Sequence, residues 1–66
     1  MTYIYLLTYK YNLNEKSCGV LSFSRKRSAI ETARYYRDRV HCACVTLRQD
    51  RLCTDGMCDI IGLIDF

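Results

Sequence analysis

Apolar and polar positions alternate without a break from residue 2 to residue 11. Tyr3, Tyr5, Leu7, Tyr9 and Tyr11 fall on one side, and Thr2, Ile4, Leu6, Thr8 and Lys10 on the other. Period two in aromatic and β-branched residues predicts a strand. The polar stretch Asn12-Leu13-Asn14-Glu15-Lys16-Ser17-Cys18-Gly19 contains turn formers and leads into a second alternating run, Val20-Leu21-Ser22-Phe23-Ser24, so the two runs are expected to pair as an antiparallel hairpin. The period then changes. Ala29, Ile30, Ala33, Tyr36 and Val40 recur at three- and four-residue spacing as the buried stripe of an amphipathic helix, with Arg34, Tyr35, Asp38 and Arg39 facing outward. Ser24 and Ser28 are the two candidate starts, and Ser28 forms a capping box with Glu31.

After His41 the alternation returns, with Ala43, Val45 and Leu47 opposed to Cys42, Cys44, Thr46 and Arg48, which predicts a third strand. Gln49-Asp50-Arg51 is expected to break it. Asp55-Gly56 is a tight-turn signal, and Asp59-Ile60-Ile61-Gly62-Leu63-Ile64 reads as the last strand. The fold class is therefore α+β: β-β-α-β-β, an antiparallel four-stranded sheet with one helix packed on one face. A chain of 66 residues allows one core and one small domain, 1–66.

Such a sheet has one face left uncovered. If Ile4, Leu6, Leu21, Phe23, Val45 and Leu47 meet the helix, Tyr3, Tyr5, Tyr9 and Tyr11 form an exposed stripe, and exposed apolar patches rich in tyrosine mark interaction surfaces. We adopt that expectation. The alternative places the tyrosines in the core and leaves Ile4 and Leu6 to be covered otherwise.

Half of the residues are apolar and about a quarter are charged, a composition that predicts a folded domain. The formal net charge of +3 is unevenly placed. Arg25, Lys26, Arg27, Arg34, Arg37 and Arg39 gather in the helix against Glu31 and Asp38, while Asp50, Asp55, Asp59 and Asp65 make the C-terminal part acidic. The basic helix could track phosphates or answer an acidic protein surface, with Arg25, Lys26, Arg27, Arg34 and the neighbouring Tyr35 as its candidate contacts. The opening segment lacks the pattern of a signal peptide, and no apolar window is long enough to span a membrane, so a cytoplasmic protein with no membrane partner is expected.

In a reducing compartment the five cysteines should persist as thiols. Cys42, Cys44, Cys53 and Cys58 could in principle make a tetrahedral zinc site, although Cys42 and Cys44 are closer in sequence than paired zinc ligands usually are; the competing expectation is that they fill a thin core. His41 beside Cys42 has no third group to complete a nucleophilic site, and the three glycines are isolated and form no phosphate-binding loop. No catalytic residues and no cofactor are expected.

The layout from Tyr3 to Gln49 resembles small phage-encoded anti-defence proteins, nearest to type I-F anti-CRISPR proteins. It comprises a first strand, the Asn12-Leu13-Asn14-Glu15 connector, a second strand, a serine-initiated helix rich in alanine and arginine, and a third strand. The cysteine-rich C-terminal hairpin has no counterpart in that layout. The resemblance implies a non-catalytic inhibitor that occupies a surface of a host nuclease or nucleoprotein surveillance complex. A small nucleic-acid-binding regulator acting through the basic helix is the alternative. A homodimer that pairs strand edges or buries the tyrosine face against its copy is compatible with both.

Overall fold

The computed structural model describes residues 2–53 and 56–66. Strands β1 (Thr2–Lys10), β2 (Gly19–Phe23), β3 (Cys44–Leu52) and β4 (Cys58–Leu63) form one antiparallel sheet ordered β2-β1-β3-β4, and helix α1 (Lys26–Asp38) lies across one face. This is the α+β arrangement expected from the sequence. Among the described residues no helix is long and apolar enough to cross a membrane.

Two local expectations are corrected. Gln49, Asp50 and Arg51 do not break β3, because the two charges are neutralised: Arg48 binds Asp50, two residues along the same strand, through two hydrogen bonds of 2.8 and 2.9 Å, and Arg51 reaches across to Asp59 on β4 at 2.9 Å. The helix starts at Lys26 with Arg25 as N-cap and no side-chain cap, so Ser28 is already inside the first turn and builds no capping box with Glu31. Its carbonyl instead accepts the Thr32 hydroxyl at 2.9 Å. Of the expected Asp55-Gly56 turn, Asp55 lies outside the described residues; Gly56 has φ 84°, the left-handed conformation that favours glycine.

Strand register decides which face is the core. Leu7 stands opposite both Leu21 and Leu47, Tyr5 opposite Phe23, and Tyr9 opposite Val45. Directly opposed residues share a face, so the tyrosine side of β1, together with Leu21, Phe23, Val45 and Leu47, meets the helix. The expected exposed stripe is overturned there: Tyr5 is 7% exposed and Leu7 is fully buried. The physical reason lies on α1. Ala29 and Ala33, one turn apart and both fully buried, are small enough to let the helix come close while Tyr5, Leu7 and Leu47 fill the space between. Ile64 and Phe66 close the rim. The Ile64 amide donates to the Leu47 carbonyl at 2.8 Å, and the Arg37 guanidinium donates to the Phe66 carbonyl and stands 5.3 Å over its ring.

Candidate functional site

The odd residues of β1 do not share one environment. Tyr3 lies at the far end of the strand, about 20 Å from Tyr9 at a strand rise of ~3.3 Å per residue, and Tyr5 is under the helix. Tyr9 is the centre of a cluster. Its ring stacks on Tyr36 of α1, with centroids 4.5 Å apart and planes 10° from parallel, while Tyr11 meets it edge-on at 5.6 Å. Tyr35 in turn meets Tyr36 edge-on at 5.9 Å. Gly19 on β2 leaves room for the Tyr9 ring, since a Cβ there would stand 2.2 Å from Cζ of Tyr9. The two inner rings are therefore held between sheet and helix. The two outer rings, Tyr11 and Tyr35, remain 51% and 57% exposed.

Partial burial pushes the phenols of Tyr11 and Tyr36 above the usual 10.0, and the adjacent Tyr9 adds to this. For an acid that is neutral when protonated, a raised folded pKa means stability present in full below the unfolded pKa and lost as pH rises from there through the folded pKa. Unfolding free energy is thus expected to fall as pH climbs above about 10, the ordinary tyrosine value, and Tyr36→Phe is expected to lose part of that dependence. Denaturant melts of both proteins across the alkaline range check this; identical pH profiles would contradict it.

The basic residues fall along the outer side of α1. Arg25, Lys26 and Arg27 occupy its N-terminal end, all exposed, and Arg34 and Tyr35 lie further along. Lys26, Arg27, Ile30, Glu31 and Arg34 line an open depression of about 630 Å³. Arg27 pairs with Glu31 at 3.2 Å, which lowers the charge of that depression. The first turn has no acidic residue, so apart from the Arg27–Glu31 pair these cations stand against the positive end of the helix dipole. Arg34, next to Tyr35 in the chain, joins this basic strip to the tyrosine cluster.

The zinc alternative is overturned by geometry. Cys44 begins β3 and Cys58 stands opposite Leu52 at its other end. A strand of nine residues separates its ends by about 26 Å, so Cys42 and Cys44 cannot share a metal with Cys53 and Cys58. Among the described residues no cluster of three or more ligand side chains forms. The Cys53 thiol, 3.4 Å from an Asp59 carboxylate oxygen, is held up chiefly by that hydrogen bond, and the Cys42 thiol is raised by burial; both favour the protonated thiol.

The opposite face of the sheet is open, and it holds Ile4 and Leu6, the two residues of the expected core set that do not meet the helix. It presents Ile4 and Leu6 of β1, Val20 of β2, and Ile60 and Leu63 of β4, placed on one side by the pairs Leu6↔Arg48↔Leu63, Thr8↔Val20 and Ile4↔Asp50↔Ile60. Leu6, Thr8, Val20, Thr46, Arg48 and Leu63 line a hollow of about 370 Å³ in it. The sequence named Tyr9, Tyr11 and Tyr35 but missed their link through Tyr36, which a buried helix stripe absorbs without remark. The small alanines facing the sheet were the available signal, since they require large partners on the strand. The chain matches no protein-family model, no curated protein and no solved structure.

Proposed function

We propose that the chain is a non-catalytic protein-binding inhibitor that occupies a surface of a larger partner through Tyr11, Tyr35 and the adjoining Arg34. The observation that carries the reading is the four-tyrosine cluster. Two rings fixed in the helix–sheet junction hold two others out toward solvent. A tyrosine already ordered by packing loses little conformational freedom on binding, and tyrosine and arginine are the residues that dominate interface energetics. Tyr5, buried, takes no direct part. The partner class comes from the layout resemblance to phage anti-defence proteins: a host nuclease or surveillance complex, met in the host cytoplasm.

A second reading, nucleic-acid binding by the basic helix, is favoured by one observation. Arg25, Lys26 and Arg27 crowd the uncapped helix start without an acidic neighbour in the first turn. One experiment separates the two. The tagged chain is used to capture partners from bacterial lysate with and without nuclease treatment, beside a Tyr11→Ala/Tyr35→Ala variant of unchanged circular dichroism. The inhibitor reading expects a stoichiometric protein that the variant loses. Recovery of nucleic acid alone, released by moderate salt, would replace it with the second reading.

A further inference from the structure

The open sheet face is independent of the tyrosine cluster, and we infer that it is covered by a second copy of this chain, packed face to face about a two-fold axis. Area is the first argument. The chain exposes 4935 Å² for a mass of 7.8 kDa, whereas a folded monomer of that mass exposes about 4,400 Å². The excess of roughly 500 Å² is the size of one face of a sheet whose four strands are about 4.8 Å apart and rise ~3.3 Å per residue. Two such faces together bury about 1,000 Å², the lower bound for a specific interface.

The second argument is charge. The strand residues on this face include only three charged ones, Lys10 at a corner and the Arg48–Asp50 pair near the middle. Asp50 is 3% exposed and bound by two hydrogen bonds from Arg48, so the pair can be covered without stranding a charge. A two-fold contact sets a patch against itself, which brings like charges together unless the patch is neutral. The basic side of the helix could not meet its own copy in this way; this face can. A strongly acidic or basic partner, by contrast, would find nothing here to answer its charge.

Shape is the third. The face carries a hollow between Val20 and Leu63 and, along β4, the projecting Ile60, with these three side chains 60%, 75% and 66% exposed. A surface that holds both knob and hollow carries the two parts that a self-complementary contact needs. Two sheets packed through such faces stand about 10 Å apart, with the helices outside.

Sedimentation equilibrium at micromolar concentration tests this, with Leu63→Lys and Val20→Lys as separate variants. Both side chains are mostly exposed in the single chain, so the fold should survive, and helix circular dichroism checks that it has. The wild type is expected to sediment as a dimer and each variant to weaken the dimer by tenfold or more, while Tyr11→Ala/Tyr35→Ala leaves it intact. A wild-type monomer, whether or not another protein binds this face, overturns the inference. So does a dimer that both lysine variants leave unchanged.

Discussion

Leu7→Ala is expected to leave the protein mostly unfolded at room temperature. Among the described residues Leu7 and Leu47 are the two large side chains fully removed from solvent, and truncating a buried leucine costs about 2–5 kcal/mol, because the transfer energy of the lost methyls is joined by that of the cavity they leave. A core in a chain this short supplies only about 3–5 kcal/mol in total, so one such loss consumes most of it. The neighbouring Leu6→Ala is the control. Leu6 points to the open face and is only partly buried, so its truncation should cost clearly less. Urea melts of the two variants rank the faces of β1: Leu6→Ala as the more damaging change would mean that the helix covers the other side.

Arg48→Ala is expected to be the other large loss, about 3 kcal/mol, since it removes both hydrogen bonds to an almost fully buried carboxylate and leaves that charge unpaired. Replacing the pair as a whole has a different outcome. Arg48→Met/Asp50→Leu removes both charges and keeps apolar volume between Ile4 and Ile60, the two neighbours of Asp50 across the sheet, so it should recover most of the loss. The measurement is thermal unfolding of single and double variants under one buffer. A double variant as unstable as Arg48→Ala would mean that the ion pair holds β3 straight in a way leucine and methionine cannot.

The elements were legible in the sequence because each has a clear period. Tyr3 to Tyr11 alternates, and Ala29, Ala33 and Tyr36 return every three or four residues. What the pattern could not settle was the facing of β1, because both of its sides are apolar. Tyr5 and Leu7 compete with Ile4 and Leu6, and alternation alone is blind to which set lies inside. The answer sits in another element: Ala29 and Ala33 make a shallow helix surface that only large side chains can fill. The continuation of β3 through Gln49-Asp50-Arg51 escaped for a similar reason. Turn propensity is local, whereas the partner of Arg51 is Asp59, eight residues away on β4. Sequence spacing alone brings Cys42, Cys44, Cys53 and Cys58 near one another and is blind to the length of β3 between them. At nine residues it holds the two pairs apart.

The same reasoning bears on the site. Tyr11 and Tyr35 were nameable as candidate contacts, but their common origin in one stacked group needed the sheet and helix to be brought together. Under the proposed function that group would count for affinity as well as position, since a preordered aromatic binds without first being immobilised.

The central claim is that the partner is bound at the tyrosine end of the molecule. Its most direct test is calorimetric titration of the captured partner protein with wild type, Tyr11→Ala, Tyr35→Ala and the open-face variant Leu63→Lys. Each tyrosine truncation is expected to weaken binding by at least about 2 kcal/mol, the scale of an interface hot spot, with folding intact and Leu63→Lys binding as wild type per chain. Unchanged affinity in both tyrosine variants, or loss of binding in Leu63→Lys alone, would contradict it.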